Sequence, residues 1–359
     1  MKKRMLKFGT KPDDNIKQNK KFTVVELFAG AGGLALGLEK AGFITKGLIE
    51  NNKWAVETLK KNRKNWNIIA EDIRIVSKNG IKKYLKDNKP IDLLSGGYPC
   101  QTFSYAGNKQ GLEDVRGTLF YDYAEILKQL KPKMFLAENV KGLVSHDKGR
   151  TLKIMLEVFK FVGYHVQYMV LNSLNYGVAQ KRERIIIIGT RKDLYNNIKE
   201  IYKFPESLPY TLTLRDVLKN VPKSVSGTYS ENKKKILELV PPGGCWRNLP
   251  EEIAKDYMGK SFYLGGGKTG IARRLSWNEP GLTVLCSPSQ KQTERCHPDE
   301  TRPFTVRENA RIQSFPDDWI FEGPITAKYK QIGNAVPVEF AKHIGLSIKK
   351  YLIKLEENK

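Results

Sequence analysis

A short apolar strand that leads through a glycine-rich turn into an amphipathic helix constrains the fold of this chain more than any other feature. The strand covers 22–28, the turn at 28–33 reads FAGAGG, and the helical pattern covers 33–41. Glycines in such a turn let the backbone approach a ligand closely, and the start of the helix offers free N–H groups. The segment predicts a strand–helix unit with a ligand site at the carboxyl end of its strand.

Further candidate strands and helices alternate along the chain as far as residue 189. The remaining strands are predicted at 44–49, 91–96, 134–138, 166–171 and 185–189. Helical patterns lie between them at 53–62, 80–86, 120–130 and 152–161. Since strands alternate with helices, we predict an α/β fold with a doubly wound, mostly parallel sheet that is covered by helices on both faces.

The alternation stops after residue 189, because prolines and paired glycines recur throughout 205–303. A second, smaller and irregular domain is therefore expected beside the first. The predicted segments are a flexible basic arm at 1–21, a catalytic and ligand-binding domain at 22–191, the irregular domain at 192–325, and a C-terminal segment at 326–359 that returns to the first domain. That last segment carries an amphipathic helical pattern.

The charge balance is strongly basic. The chain has 62 Lys and Arg against 38 Asp and Glu, which gives a net charge of +24. Such an excess favours a polyanionic partner, and nucleic acid above all. The alternative explanation is a solvated, lysine-rich surface.

The cysteines and histidines show no spacing typical of metal ligands or of a disulfide framework. The four cysteines are Cys100, Cys245, Cys286 and Cys296. We therefore expect no metal and a reducing compartment. Because no apolar run is long enough for a signal peptide or a membrane helix, the expected location is the cytoplasm, without membrane contact.

Candidate catalytic side chains follow the ends of the predicted strands. Cys100 lies in the loop after the third strand, and Glu138 ends the fourth. Arg182 and Arg184 alternate at the start of the sixth, which places both on one face. A cysteine in such a loop can act as a nucleophile and a strand-end carboxyl as a general acid. Taken singly, the same residues also fit a buried cysteine, a solvated carboxylate and ordinary charge alternation.

The second strand ends in another carboxylate. Glu50 follows Gly30 by 20 residues, and a carboxylate at that place is suited to accept hydrogen bonds from ribose hydroxyls. Because Ala35 completes a loose G-x-G-x-x-A pattern, a dinucleotide-binding fold is the direct alternative, and a plain tight turn is another.

Taken together, these motifs closely resemble those of the bacterial DNA cytosine-5 methyltransferases, the modification enzymes of type II restriction systems. The resemblance covers about 22–338 and is weakest in the irregular domain. The matching motifs are Pro99-Cys100, Glu138-Asn139-Val140, Gln180-x-Arg182-x-Arg184, RENARIQSFP at 307–316, and GNAVP at 333–337.

The resemblance implies transfer of a methyl group from S-adenosylmethionine to carbon 5 of a cytosine that is flipped out of duplex DNA. Cys100 would attack C6 of the base, and Glu138 would supply a proton at N3. Arg182 would support the base carbonyl and keep Cys100 ionised, with Arg184 beside it on the strand. Asn139 would orient the catalytic loop.

The resemblance also implies a cofactor site. Its expected residues are Phe28, Gly30, Gly32, Glu50, Asp72, Ile73, Leu119, Asn334 and Val336. Asp72 is also well explained as a helix cap. Asn51 stands where the family often has an aromatic residue, and Ala106 stands where it commonly has a serine.

The DNA contacts expected from the resemblance fall in two regions. The loop after Cys100 has the composition of a mobile lid over DNA, with candidate contacts at Gln101, Ser104, Lys109 and Arg116. The irregular domain would be the target-recognition domain, where Thr283 would fix the flipped nucleotide. Arg273 and Arg274, together with Lys291 and Arg295, are candidates for base or phosphate contact, with plain surface solvation as the alternative.

The expected partners are double-stranded DNA and, in function, a restriction endonuclease of the same specificity, with the protein acting as a monomer. The alternatives are a tRNA cytosine-5 methyltransferase, a catalytically silent DNA-binding protein of the same fold, and a flavin or NAD oxidoreductase. Intact Cys100, Glu138 and Arg182 argue against the silent protein.

Overall fold

A computed structural model of the chain describes residues 20–99, 117–264, 269–288 and 290–357. Most of the predicted basic arm lies outside these ranges. So do Cys100 and the lid candidates Gln101, Ser104, Lys109 and Arg116.

A seven-stranded sheet forms the centre of the first domain. Its strands are β1 Phe22–Leu27, β2 Phe43–Ile49, β3 Ile68–Ile69, β4 Leu93–Gly96, β5 Met134–Val140, β6 Tyr164–Asn172 and β8 Glu183–Arg191. Their order is β3-β2-β1-β4-β5-β8-β6, and every neighbouring pair is parallel except the two that involve β8. Two further short strands, β7 Gln180–Lys181 and β9 Gly281–Leu282, pair in parallel.

Helices cover both faces of the sheet, which confirms the predicted doubly wound α/β fold. The helices are α1 Gly33–Lys40, α2 Lys53–Asn62, α3 Ile73–Asn79, α4 Leu119–Leu130, α5 Arg150–Phe161, α6 Lys192–Ile198, α7 Leu214–Val217, α8 Glu231–Glu238, α9 Glu251–Met258, α10 Val306–Ile312, α11 Ile325–Asn334 and α12 Val338–Glu357. The core on one face involves α3, α4 and α5, and the core on the other involves α1 and α12. Because both faces are covered, the central strands are nearly continuous apolar runs.

The helix predicted at 80–86 is wrong. The structure instead has α3 immediately before it, capped by Asp72, whose carboxylate accepts the N–H of Arg74 at 2.9 Å. Gly80 ends α3 with a φ of 88°, a conformation that glycine adopts without strain, and Ile81–Tyr84 is a single 3₁₀ turn. The sequence pattern also missed β3, because two residues are too few to show alternation.

The chain after β8 divides its packing between the first domain and a small separate core. Tyr202 packs against Tyr351 of α12, so the chain directly after α6 still lies on the first domain. A separate cluster includes Tyr229, Leu237, Val240, Ala254 and Cys296. The division at residues 191 and 192 stays a prediction. Within the described residues, no helix combines the length and the apolar character needed to span a bilayer.

Candidate active site

A cavity of about 480 Å³ lies at the carboxyl ends of β1, β4 and β5. Its opposite wall is formed by the segment 283–286, which follows β9, and by residues 333–336, which run from the end of α11 toward α12. The cavity therefore lies between the parallel sheet and the irregular domain, at the edge where open α/β sheets bind ligands.

Glu138 reaches the cavity from the end of β5 and forms an ion pair with Arg184. The distance from Arg184 Nε to Glu138 Oε1 is 2.8 Å, and the two side chains are 14% and 12% exposed. Gly97 makes room for this carboxylate, because a Cβ there would lie 2.8 Å from Glu138 Oε2. The sequence signal for this close approach is the pair Gly96-Gly97 before Tyr98, which was not among the predicted site residues.

Asn139 is buried and joins β5 to the segment that leads into Cys100. Its Nδ2 donates to the carbonyl of Tyr98 at 2.9 Å, and its Oδ1 accepts the N–H of Val140 at 2.8 Å. Both bonds hold the amide in one orientation. The main chain two residues before Cys100 is thereby held next to Glu138.

Arg182 is 2% exposed and bonds to both pieces of the opposite wall. Its Nη2 donates to the carbonyl of Gly333 at 3.0 Å and its Nη1 to the carbonyl of Val284 at 3.4 Å. Its buried Nε has no partner among the described residues. Burial, followed by repulsion from Arg184, lowers the pKa of Arg182 to about 9.

Glu50 and Gly30 form the other end of the cavity. The carboxylate of Glu50 accepts the N–H of Gly30 at 2.8 Å and that of Asn52 at 2.7 Å. Gly30 has a φ of 54°, and a Cβ there would meet no atom within 4 Å, so open space lies in front of the turn. Each carboxylate oxygen keeps a lone pair for a further donor.

The predicted cofactor residues divide into two groups. Phe28, Gly30, Glu50, Asn334 and Val336 line the cavity. Gly32, Asp72, Ile73 and Leu119 do not.

Local structure explains two members of the second group. Gly32 caps α1 with a φ of 83°, a left-handed conformation that favours glycine, and a Cβ there would also lie 2.7 Å from Leu59 Cδ2. Asp72 binds Arg74 with a distance of 2.6 Å between Oδ2 and Nη2. The local structure thus explains why Gly32 and Asp72 occupy these positions, without a ligand.

Glu26 is a cavity residue that our sequence analysis missed. It is 1% exposed, and burial raises its pKa well above the ordinary value. A hydrogen bond from Ser95 lowers the pKa by a smaller amount. The charge of nearby Glu50 raises the pKa further. A carboxyl group inside the apolar β1 sequence FTVVEL was the available signal, since a buried charge needs a partner.

Cys286 is a second missed residue. Its thiol donates to Asn334 Oδ1 at 2.9 Å, and burial raises its pKa. The contact joins the segment after β9 to the end of α11.

Thr283 lines the cavity and is held by the main chain of β7. Its hydroxyl donates to the carbonyl of Lys181 at 2.9 Å. The next residue, Val284, donates its N–H to Gln180 Oε1 at 2.9 Å, and Gln180 Nε2 donates to Gln313 Oε1 at 2.8 Å. This buried chain of bonds connects the two parts of the molecule next to the cavity.

Arg274 is placed differently from the other candidates for DNA contact. It is 5% exposed, and its guanidinium donates five hydrogen bonds to acceptors within the irregular domain. These acceptors are the carbonyls of Leu237, Val240, His297 and Pro298 and the hydroxyl of Thr301. Its donors are already used, so the structure favours a role in folding over a contact with DNA.

Within the described ranges, no group of three or more His, Cys, Asp or Glu side chains is arranged to hold a metal ion.

The fold, with a mostly parallel seven-stranded sheet and a cavity at its carboxyl edge, is that of the methyltransferases that use S-adenosylmethionine. The Dnmt2 methyltransferase of S. pombe superposes with a TM-score of 0.63 at 16% identity, over 92% of this chain and 99% of that one. Spodoptera frugiperda DNMT2 gives a TM-score of 0.60 at 17% identity, over 93% and 99%. At these identities the likeness concerns the fold alone.

The sequence comparisons are more specific. The family model described as C-5 cytosine-specific DNA methylase matches residues 22–350, and the chain belongs to that family. It is 60% identical to the Type II methyltransferase M.Sau96I of Staphylococcus aureus over 338 residues, which cover 94% of this chain and 78% of that protein. It is 52% identical to M.Eco47II of Escherichia coli over 354 residues, which cover 96% and 83%.

The family predicted from the motifs is therefore confirmed, and with it a methyltransferase activity on cytosine in DNA. The tRNA methyltransferase, the silent binding protein and the oxidoreductase find no support in these comparisons.

Proposed function

We propose that this protein methylates carbon 5 of a cytosine within one duplex DNA sequence and so protects that sequence from a restriction endonuclease of the same specificity. One observation carries the chemical part of the proposal: Glu138, Arg182 and Arg184 meet in one cavity, at the point where Asn139 holds the segment that leads into Cys100. The type II relatives support the protective role.

The proposed reaction begins with the thiolate of Cys100. Its sulfur bonds to C6 of the cytosine, the C5–C6 double bond opens, and C5 becomes nucleophilic. Negative charge that develops on the ring is met by a proton from the carboxyl of Glu138 at N3. Once C5 carries the methyl group, a base removes the proton that C5 still holds, the C5–C6 double bond forms again, the sulfur leaves as thiolate, and N3 gives up its added proton.

The arginines have separate proposed roles. The ion pair at 2.8 Å supports a positioning role for Arg184, which would hold the carboxyl of Glu138 toward the base. Arg182, fixed by two carbonyls of the opposite wall, would present a buried cation to the base carbonyl oxygen and to the thiolate. Both groups are preorganised before the base arrives.

The cavity residues fit S-adenosylmethionine. Its sulfonium and ammonium charges would offset the buried carboxyl of Glu26, and Glu50 keeps lone pairs for ribose hydroxyls. Phe28, Asn334 and Val336 would complete the binding wall. Bound there, the cofactor supplies the methyl group. Gly32, Asp72, Ile73 and Leu119 remain proposed outer members of this site.

The DNA would approach between the sheet and the irregular domain. A stacked base cannot present C6 to a thiol, so the nucleotide must leave the duplex at a cost of a few kcal/mol. Thr283 would hold its phosphate, and Gln101, Ser104, Lys109 and Arg116 would contact DNA from the lid. Because one base reacts at a time, we infer that the protein acts as a monomer. Its proposed site of action is the cytoplasm, where bacterial DNA lies.

A methylation assay with the Cys100→Ser variant tests the proposal. Wild-type protein is expected to transfer labelled methyl groups to duplex DNA and not to tRNA, and bisulfite sequencing should then show protected cytosines in one sequence. Cys100→Ser should lose transfer and still bind DNA, because serine nearly keeps the size of the side chain and lacks the nucleophilic sulfur. Duplexes that contain 5-fluorocytosine should trap a covalent adduct with the wild type alone. Full transfer by Cys100→Ser would contradict the mechanism.

A further inference from the structure

Neighbouring arginines of the irregular domain differ in how their guanidinium groups are partnered. Arg274 is buried and donates five hydrogen bonds within the protein. Arg273 and Arg295 each have a buried Nε with no acceptor among the described residues. An unpaired buried donor costs free energy, so these two side chains are incomplete in a way that Arg274 is not.

The backbone places the two incomplete arginines side by side. Arg274 and Cys296 form a parallel β-bridge, and both are buried in the small core of this domain. Arg273 and Arg295 directly precede these two residues. They lie close enough to each other for the charge of Arg273 to lower the pKa of Arg295, and neither is buried as Arg274 and Cys296 are.

Their charges are poorly compensated. The distance from Arg273 Nη2 to Glu279 Oε2 is 3.6 Å, and the side chain of Glu279 is 54% exposed. Arg295 forms no ion pair within the described part of the chain, and its Nη1 donates to the carbonyl of Glu294 at 2.7 Å. Burial, followed by repulsion from Arg273, lowers the pKa of Arg295 to about 10. Two adjacent cations that each keep an unpaired Nε offer donors to an acceptor-rich ligand.

Arg295 lies next to the active-site wall. Arg295 lines a small cavity that shares Val284 and Leu285 with the active-site cavity. One segment of chain, 283–286, therefore lies between the cavity of Arg295 and the cavity that is proposed to receive the extruded base.

We propose that Arg273 and Arg295 together read a guanine next to the target cytosine. In the major groove guanine presents O6 and N7 as two adjacent acceptors, which match the donor fork of arginine. The inference rests on the proposed function, since it needs duplex DNA in the cleft. A phosphate offers acceptors too, but a phosphate contact carries no sequence preference. An experiment can thus distinguish a guanine from a phosphate as the source of the hydrogen-bond acceptors.

The test uses duplexes in which each guanine of the preferred site is replaced in turn by 7-deazaguanine, which lacks the N7 acceptor. For the wild type, kcat/KM should fall about 10-fold at one guanine, in the range expected for loss of a specific base contact. Arg273→Ala should lower kcat/KM on natural DNA by a similar factor and should no longer respond to that replacement. Arg247→Ala is the matched control, since it removes an exposed cation of the same domain and should keep the wild-type response.

Arg273→Lys and Arg295→Lys guard against a folding defect, because they keep the charge and most of the side-chain length. Each is expected to melt near the wild type and to discriminate less well, since lysine lacks the rigid fork. Wild-type indifference to every 7-deazaguanine would overturn the inference. So would variants that lose activity equally on all sequences and show a smaller salt dependence, which is the mark of a phosphate contact. If the wild type methylates no duplex DNA at all, the proposed function itself fails.

Discussion

At the scale of single residues, the carboxyl of Glu138 has a defined partner and a defined surrounding. Arg184 holds one oxygen at 2.8 Å, and Gly97 leaves space beside the other. A group so fixed can meet the same ring nitrogen in every turnover, which is what general acid catalysis requires.

We therefore predict that Glu138→Gln lowers kcat by about 10²- to 10⁴-fold, because the amide keeps the shape and cannot donate the proton. Binding of S-adenosylmethionine, measured by calorimetry, should stay near the wild-type value, since Glu138 lies at the other end of the cavity from Glu50. Retention of wild-type kcat would show that another group protonates the base.

Glu26 leads to a prediction about pH. Its raised pKa means that the folded protein holds a proton that the unfolded chain has released once the pH exceeds the ordinary value of 4.5. Stability without cofactor should therefore fall as pH rises through that window, by at most about 1.4 kcal/mol per pH unit from this group. Glu26→Gln should unfold at higher urea concentration than the wild type at pH 7.

In the same experiment, Glu26→Gln should also show a flatter dependence of stability on pH between 5 and 7 than the wild type. If the two dependences coincide, Glu26 is ionised in the folded protein. Weaker binding of S-adenosylmethionine by this variant would agree with the proposed charge match.

At the scale of elements, the contact between α1 and α12 joins the start of the chain to its end. Gly37 lies at the crossing, where a Cβ would approach Ala341 Cβ to 2.4 Å and the carbonyl of Val338 to 2.6 Å. The two helices approach so closely because this position has no side chain, and Gly345 of α12 contributes in the same way, since a Cβ there would lie 2.8 Å from Ala41 Cβ. α12 in turn follows the turn that carries Asn334, so this packing positions one wall of the cavity.

Gly37→Ala should accordingly reduce the free energy of unfolding by about 1–3 kcal/mol, the usual cost of overpacking a core. Gly142→Ala is the control, because a Cβ at Gly142 meets nothing within 4 Å. Urea denaturation of both variants measures the difference. Equal stability of the two would mean that the helices separate freely.

At the scale of the whole molecule, the net charge of +24 should govern DNA binding. If the basic excess faces DNA, each neutralised phosphate releases counterions, and affinity falls steeply with salt. We expect a loss of about 10³-fold or more in affinity between about 50 and about 200 mM salt, measured by fluorescence anisotropy on a short duplex. A flat dependence would assign the charge to surface solvation instead.

Much of the architecture followed from local patterns, and the exceptions have physical reasons. The strands β1, β2, β4, β5 and β8 were predicted at nearly their observed places, because buried strands are long apolar runs. β3 has two residues, and α3 ends at Gly80 in the middle of an ambiguous stretch. Short elements at the edge of a sheet depend on their neighbours for stability, so their own sequence carries little signal.

The sequence by itself determined the order of motifs at the strand ends, and hence the family, the sheet and the edge at which the cavity lies. Only the tertiary structure decided which side chains are partners: Arg184 with Glu138, Arg182 with Gly333 and Val284. It also decided that Arg274 is engaged within the protein while its neighbours Arg273 and Arg295 are not. Alternation along a strand assigns a side chain to a face. What lies opposite that face depends on segments far away in the chain, and their contacts form only when the molecule packs.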